Sequence, residues 1–428
     1  MDSYTINDPI HGMMTFSRKQ GDLIRPLIDS AHLQRLRHIK QLGLIELVFP
    51  GAVNTRFNHC LGACYLAKRI ADQVGLDEER KTAAMVAALL HDVGHGPFSH
   101  LFERVLPHDK RLKHDNEWLQ HFLSDYESQG LLPKEITQLC YAAFSLAPRT
   151  TENSIVADLV SSQLDADRFD YLLRDSHYCG VSYGTYNLDW LLSCMKQVNV
   201  DGVMRLGVLK KGVGALEHYI MSRRLMTRNI YANGKVNAVR LYLQTFLVQL
   251  SNRIDSQVFN EISGSLLGQY LKLLHDYKFE HIDKNTFLQR SFVYYKQLID
   301  DDIWIALRHI SQLTIDDDIV ELARNIYCRR LPHIVQVSPN EVAHYQQKIV
   351  AYLRDNPDIK SWQLHLEPLH FVAYEKNSDP IYIFDQKTGN VNVKEMSELF
   401  DFFMGKSESV CWLYVDRAIM DGFFASTI

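Results

Sequence analysis

The sequence predicts a mainly α-helical protein with a small β-hairpin insertion and an α+β appendage at its C-terminal end. Three observations predict it. Apolar residues recur at three- and four-residue spacing through residues 18–330. A single Asp201-Gly202 turn sits between alternating apolar and polar residues. Short β-type runs set off by turn residues appear only beyond about residue 330. The chain is therefore expected to divide into a helical core of residues 1–330 and a C-terminal α+β subdomain of residues 331–428.

Each element follows in order. Leu33, Leu36, Ile39 and Leu42 predict a first amphipathic helix; Leu61, Tyr65, Leu66, Ile70 and Val74 a second; Ala83, Val86, Ala87 and Leu90 a third, buried one. Val198 to Val208 alternate around Asp201-Gly202 and predict a hairpin. Val213 to about Asn252 can run as one or two long helices, with a break at Asn233-Gly234. The runs Asp300-Asp301-Asp302 and Asp316-Asp317-Asp318 read as helix N-terminal charges. In the tail, Gln363–Glu367, Phe371–Tyr374, Ile381–Phe384 and Cys411–Val415 read as strands.

Composition narrows the function classes. With 428 residues, 46% hydrophobic and 23% charged, the chain buries a full core and is neither disordered nor fibrous. No apolar run approaches the roughly 18 residues that span a bilayer. The N-terminal residues carry no basic start followed by an apolar stretch, so a cytoplasmic location without membrane association is expected. Seven cysteines without a CxxC pair frame neither a disulfide set nor a zinc knuckle. A formal charge of -5 argues against a surface that tracks nucleic acid, and leaves room for a local basic pocket. Nineteen histidines are the unusual feature of the composition.

Four His-Asp pairs occur, at residues 91, 108, 114 and 275. Only His91-Asp92 ends a strongly apolar helix, and only it is followed by Val-Gly-His-Gly-Pro-Phe-Ser-His, a glycine- and proline-forced turn. A buried carboxylate costs several kcal/mol unless compensated, and a divalent cation is a natural compensation. His59, at the start of the second helix, and Asp167 are further candidate ligands, although taken alone His59 reads more readily as a core histidine and Asp167 as a cap or ion-pair partner. At helical spacing Asp167, Tyr171 and Arg174-Asp175 share one side of their segment.

The order His59, His91-Asp92, Asp167 resembles the HD-domain metal phosphohydrolases. Six motifs, Asn7-Asp-Pro-Ile-His-Gly, Gln34-Arg-Leu-Arg-His-Ile-Lys-Gln-Leu-Gly, Val48-Phe-Pro-Gly-Ala, Arg56-Phe-Asn-His, His91-Asp-Val-Gly-His-Gly-Pro-Phe-Ser-His and Asp167-Arg-Phe-Asp-Tyr, resemble the deoxynucleoside triphosphate triphosphohydrolases. The likeness is greatest to the branch containing the HD catalytic domain of the sterile-alpha-motif HD protein; it covers roughly residues 4 to 250 and implies a catalytic core at 1–330 with its metal-binding HD segment at about 55–175.

The resemblance implies hydrolysis of dNTPs to deoxynucleoside and tripolyphosphate, with His59, His91, Asp92 and Asp167 holding one divalent ion (Mn, Fe, Ni, Zn or Mg). His95, His100 and His114 would line the triphosphate, His114 as acid/base and Glu103 as its acidic partner, giving a catalytic set of His114, His95 and Glu103. Arg56, Arg168 and Arg223 would meet phosphate charge, Tyr171 the sugar, Asp175 the 3′-hydroxyl, and Gln41-Leu42 the space at C2′. Arg168 stands where close relatives carry lysine. Tyr231-Ala-Asn-Gly-Lys235 departs from the relatives' pattern, which leaves the base-facing wall around Tyr231 open. Asn7, Asp29, Gln34 and Arg37 match part of an activator site for GTP or dGTP, with Tyr4 in place of its lysine, and Asp29 reads otherwise as a cap of the helix carrying Gln34 and Arg37. Relatives form dimers or tetramers. The remaining alternatives are another HD phosphohydrolase, a nucleotide phosphatase or phosphodiesterase, and a nucleotide-sensing or nucleic-acid-binding oligomer. His11, His108, His275 and His309 are expected to be structural.

Overall fold

The structure, a computed structural model, describes residues 3–144, 149–151, 153–371, 380–392 and 408–426. The expected strand at Phe371–Tyr374 lies outside these residues beyond its first member.

The chain opens with an antiparallel hairpin, β1 (Ser3–Asp8) and β2 (Gly12–Ser17), whose inward Met14 and Phe16 join the core. This hairpin adds an element to those expected from the sequence. A helical series follows: α1 (Arg18–Ile28), α2 (Ala31–Arg35), α3 (Arg56–Val74), α4 (Glu78–Leu90), the short α5 (His100–Glu103), α6 (Leu119–Ser128), α7 (Lys134–Phe144), α8 (Ser154–Val160), α9 (Ala166–Tyr178) and α10 (Leu188–Ser193). The hairpin of β3 (Met195–Val200) and β4 (Val203–Leu209) interrupts them. Its turn places Asp201 at φ 52° and Gly202 at φ 87°, the paired left-handed conformation that Asp-Gly favours.

Then come α11 (Val213–Met226), α12 (Gly234–Asn252), α13 (Gln257–Asn260), α14 (Leu266–Lys278), α15 (Lys284–Tyr295), α16 (Asp300–Ser311) and α17 (Asp318–Tyr327). Asn233 makes the expected break, its side chain accepting from Lys235 N and Val236 N at the start of α12. The tail holds β5 (His333–Val337), α18 (Val342–Asp355), β6 (Leu364–Phe371), β7 (Tyr382–Phe384), β8 (Val391–Asn392) and β9 (Glu408–Val415). β5, β9 and β6 form one antiparallel sheet over a small apolar cluster around Leu413 and Phe423. β7 instead pairs parallel to β4, so the tail completes the sheet begun by the hairpin. The mainly α fold thus matches the expectation.

The first predicted helix is shorter than its apolar spacing suggests. It ends at Arg35, and Ile39 is extended. The cause is competition for backbone donors: Lys40 N–H goes to Asp300 and Gln41 N–H to Asn54 O, so neither is free to continue a helix. At the centre, α3 packs on α4 and α9. Gly62 permits the closest approach, since a Cβ there would collide with the Asp170 carboxylate of α9.

Candidate active site

Thr55 caps α3, its hydroxyl accepting from Asn58 N, and places His59 one turn inside with no exposed surface. His59 Nδ1 lies 2.8 Å from Asp170 Oδ2. Asp170 is in turn gripped by Arg174 through two 2.8 Å bonds and approached by His11 Nε2 at 2.6 Å, and Arg174 continues to Asp8 at 2.9 Å. An ionised carboxylate only accepts, so Nδ1 of His59 carries the proton and Nε2 faces forward. His91 follows the last residue of α4, and its Nδ1 is 2.8 Å from Ala88 O, one turn back, which again turns Nε2 forward.

The two Nε2 atoms are 3.2 Å apart. Asp167 Oδ1, in the first turn of α9, lies 3.0 Å from His59 Nε2 and 3.7 Å from His91 Nε2. Asp92 adds Oδ1 at 3.4 Å from His91 Nε2 and Oδ2 at 3.8 Å from His59 Nε2. Ligand atoms bound tetrahedrally at 2.0–2.1 Å are about 3.3 Å from one another, and this set brackets that spacing. Two imidazole lone pairs repel unless something positive lies between them. The electrostatics agree. Burial disfavours charge on His59, yet hydrogen bonds to Asp167 and Asp170 outweigh it and raise its pKa to about 10. Burial likewise opposes ionisation of Asp167, while His59 and His91 hold its carboxyl well below the usual range. The residues present therefore fit one divalent cation.

Beside this quartet, His95 stacks on His114 with ring centroids 3.4 Å apart, and His100 meets both edge-on. The Glu103 carboxylate accepts from His114 N at 2.8 Å and also bonds His114 Nδ1. Burial would raise Glu103, but His100 and His114 hold it low. His95 Nε2 lies 3.1 Å from Asp92 Oδ1, and its buried Nδ1 has no partner among the described residues. Burial, with the Arg56 guanidinium beside it, holds the pKa of His95 well below the usual imidazole value. The loop carrying these groups is fixed from outside. Arg35 donates to Val93 O, His95 O and Leu298 O at 2.7–2.9 Å. Asp300 accepts from Phe98 N at 2.7 Å, and so holds Phe98 and Ser99 at φ 51° and 57°. Asp300 lies in the first helical turn as expected, but it is buried and does this second job.

Two cavities meet here. One, of about 1070 Å³, is walled by His91, Asp92, His95, His114, Asp167 and Arg168. The other, of about 460 Å³, is walled by Leu42, Asp175, Arg223, Tyr231 and Arg240. They share Gln41, Arg56, His100 and Tyr171, which form the neck. Asp175 Oδ1 accepts from Asn54 at 3.0 Å and Oδ2 from the Tyr231 hydroxyl at 2.9 Å. Burial raises its pKa to about 6. The expected phosphate cations are locally engaged: Arg56 by Asp92 and Ser99, Arg168 by Asp165, Arg223 by Gln163.

Other expectations change. Arg174 does not share the cavity side of α9 with Asp167 and Tyr171; it is wholly buried against Asp8 and Asp170. His11, expected to be an ordinary structural residue, is joined through Asp170 to His59. Asn7, Asp29, Gln34 and Arg37 line neither cavity. Asp29 ends α1, and Ser30, not Asp29, caps α2. Arg37 lies over the Phe57 ring at 3.7 Å and donates to Gln34 Oε1 at 2.7 Å. Asp170, Arg35, Arg104 and Arg240 escaped the residue-by-residue reading. Only Asp170 carried a readable signal, its i,i+4 spacing to Arg174 on the helix of Asp167.

Residues 56–171 match the HD domain family. The uncharacterized protein YwfO of Bacillus subtilis is 31% identical over 97% of this chain and 93% of its own length. The deoxynucleoside triphosphate triphosphohydrolase SAMHD1 of Bos taurus is 29% identical over 62% of this chain, which spans about half (49%) of that protein. The crystal structure of a phosphohydrolase from Bacteroides thetaiotaomicron superimposes with a TM-score of 0.76 at 26% identity, covering 97% of this chain and 100% of that one. The chain belongs to the HD-domain phosphohydrolase family, on the side of it that resembles the dNTP triphosphohydrolases. No helix among the described residues is long and apolar enough to cross a membrane.

Proposed function

We propose that the protein hydrolyses deoxynucleoside triphosphates to deoxynucleoside and tripolyphosphate, with one divalent ion held by His59, His91, Asp92 and Asp167. The observation that carries this reading is the neck: it joins a cavity with the ligand quartet and the His114–Glu103 pair to a second cavity with Tyr171, Asp175 and Tyr231. A triphosphate fits the first and a deoxynucleoside the second.

When bound, the ion would polarise the α-phosphate and lower the pKa of an attacking water. The side chains do the rest. His114, oriented by Glu103, donates a proton to the leaving oxygen. Arg56 and Arg168, each leaning on one carboxylate, offer their remaining N–H groups to phosphate oxygens. Asp175 accepts from the 3′-hydroxyl while Gln41 and Leu42 close on C2′. Activation by GTP or dGTP and assembly into a dimer or tetramer are part of the same proposal, as is the assignment of catalysis to residues 1–330, where every lining residue lies. Ion-exchange analysis of products from the four dNTPs with Mn or Mg tests it: tripolyphosphate supports it, and orthophosphate or nucleoside monophosphate identifies a different HD phosphohydrolase.

A further inference from the structure

The cavity beyond the neck carries more positive charge than a nucleoside requires. Four arginines, 56, 104, 223 and 240, line it against one carboxylate, Asp175. Arg56 is engaged by Asp92 and Ser99, and Arg223 by Gln163. Arg104 and Arg240 differ. Arg104 follows α5, and its guanidinium has no hydrogen bond or ion pair among the described residues. Arg240, on α12, uses Nη1 for Tyr231 O at 3.1 Å and Asn237 Oδ1 at 3.2 Å, leaving Nε and Nη2 without a protein acceptor there. Burial, and then the neighbouring Arg104 charge, lower Arg240's pKa to about 10, with Glu367 of β6 only partly opposing them. Two guanidiniums near one another need acceptors, and among the described residues the one carboxylate that lines this cavity, Asp175, already accepts from Asn54 and Tyr231.

We infer that Arg240, supported by Arg104, reads the acceptor edge of the nucleobase, so that the site favours guanine over adenine. This rests on the proposed dNTP reaction and adds its base preference. A guanidinium presents parallel donors with no acceptor. Guanine offers N7 and O6 as adjacent acceptors on one edge, whereas adenine pairs its N7 acceptor with an N6 donor, which would face Arg240 donor to donor. Anchorage of Nη1 to the Tyr231 carbonyl ties this fork to the residue that bonds Asp175, so base and sugar are positioned from one short segment.

The test compares kcat/KM for dGTP, dATP and 7-deaza-dGTP in the wild-type protein, then in Arg240→Lys and Arg104→Ala. The expected wild-type result is a preference of about tenfold for dGTP over dATP, and a several-fold loss with 7-deaza-dGTP, which lacks only the N7 acceptor. Arg240→Lys narrows both ratios whatever its overall rate, a change that loss of packing would not produce; Arg104→Ala narrows them less. Equal rates for dGTP and 7-deaza-dGTP in the wild type, with tripolyphosphate released from both, would overturn the base assignment and leave the proposed reaction standing. No tripolyphosphate from any dNTP would remove the reaction itself.

Discussion

His59 Nδ1 lies 2.8 Å from Asp170 Oδ2, and this one contact sets which nitrogen of His59 faces the ligand cluster. Asp170→Asn keeps the shape but no longer demands a proton on Nδ1. Loss of such an outer partner costs about 10–100-fold in metal affinity. Titration calorimetry with Mn is expected to show a loss of that size; an unchanged Kd would mean that Asp170 serves folding alone.

The Glu103–His114 pair predicts a rate effect separable from metal binding. Glu103→Gln removes the anion that orients His114, and kcat is expected to fall about 100-fold, within the range of general acid–base catalysis. Metal content, measured by elemental analysis, stays at the wild-type level. A rate within threefold of wild type would exclude Glu103 from the proton path.

Asp175 makes stability depend on pH. Burial raises its pKa from 3.8 in the unfolded chain to about 6. Its contribution is therefore fully present below pH 4 and is lost as pH rises through about 6, because folding then buries a charged group. The shift corresponds to a cost on the order of 3 kcal/mol above pH 6. In Asp175→Asn that decline disappears. Asn54 Oδ1, buried and without a partner among the described residues, can accept from the new amide once its own amide flips. Urea midpoints at pH 4 and pH 7 are expected to differ less in the variant than in the wild type, and a parallel decline in both would contradict this account.

Gly94 predicts a purely steric effect. A Cβ there would collide with the His114 carbonyl and crowd Leu119 N. Gly94→Ala is expected to destabilise by about 1–3 kcal/mol, the usual effect of overpacking. Denaturant unfolding reads it directly.

How much of this was legible varies by residue. The apolar helix ending in His91-Asp92 and the Asp201-Gly202 hairpin follow from local patterns that the fold keeps. The helix expected through Leu42 did not survive, because Asp300, some 260 residues away, takes the Lys40 N–H; no local signal announces such a partner. His11 and Arg174 look ordinary in sequence because their role exists only where β1, α3 and α9 meet. The His59, His91 and Asp167 atoms converge on one point across 109 residues of chain, which family resemblance could suggest and spacing alone could not.

The reaction we propose is cleavage of a dNTP at the α-phosphate with a cation at His59, His91, Asp92 and Asp167. Incubation of the Mn-loaded protein and its Asp167→Ala variant with dGTP, followed by phosphorus NMR of the products, tests it most directly. Tripolyphosphate and deoxyguanosine are expected in equal amounts from the wild type and neither from the variant. Orthophosphate or pyrophosphate as the first product, or an undiminished rate in Asp167→Ala, would contradict it.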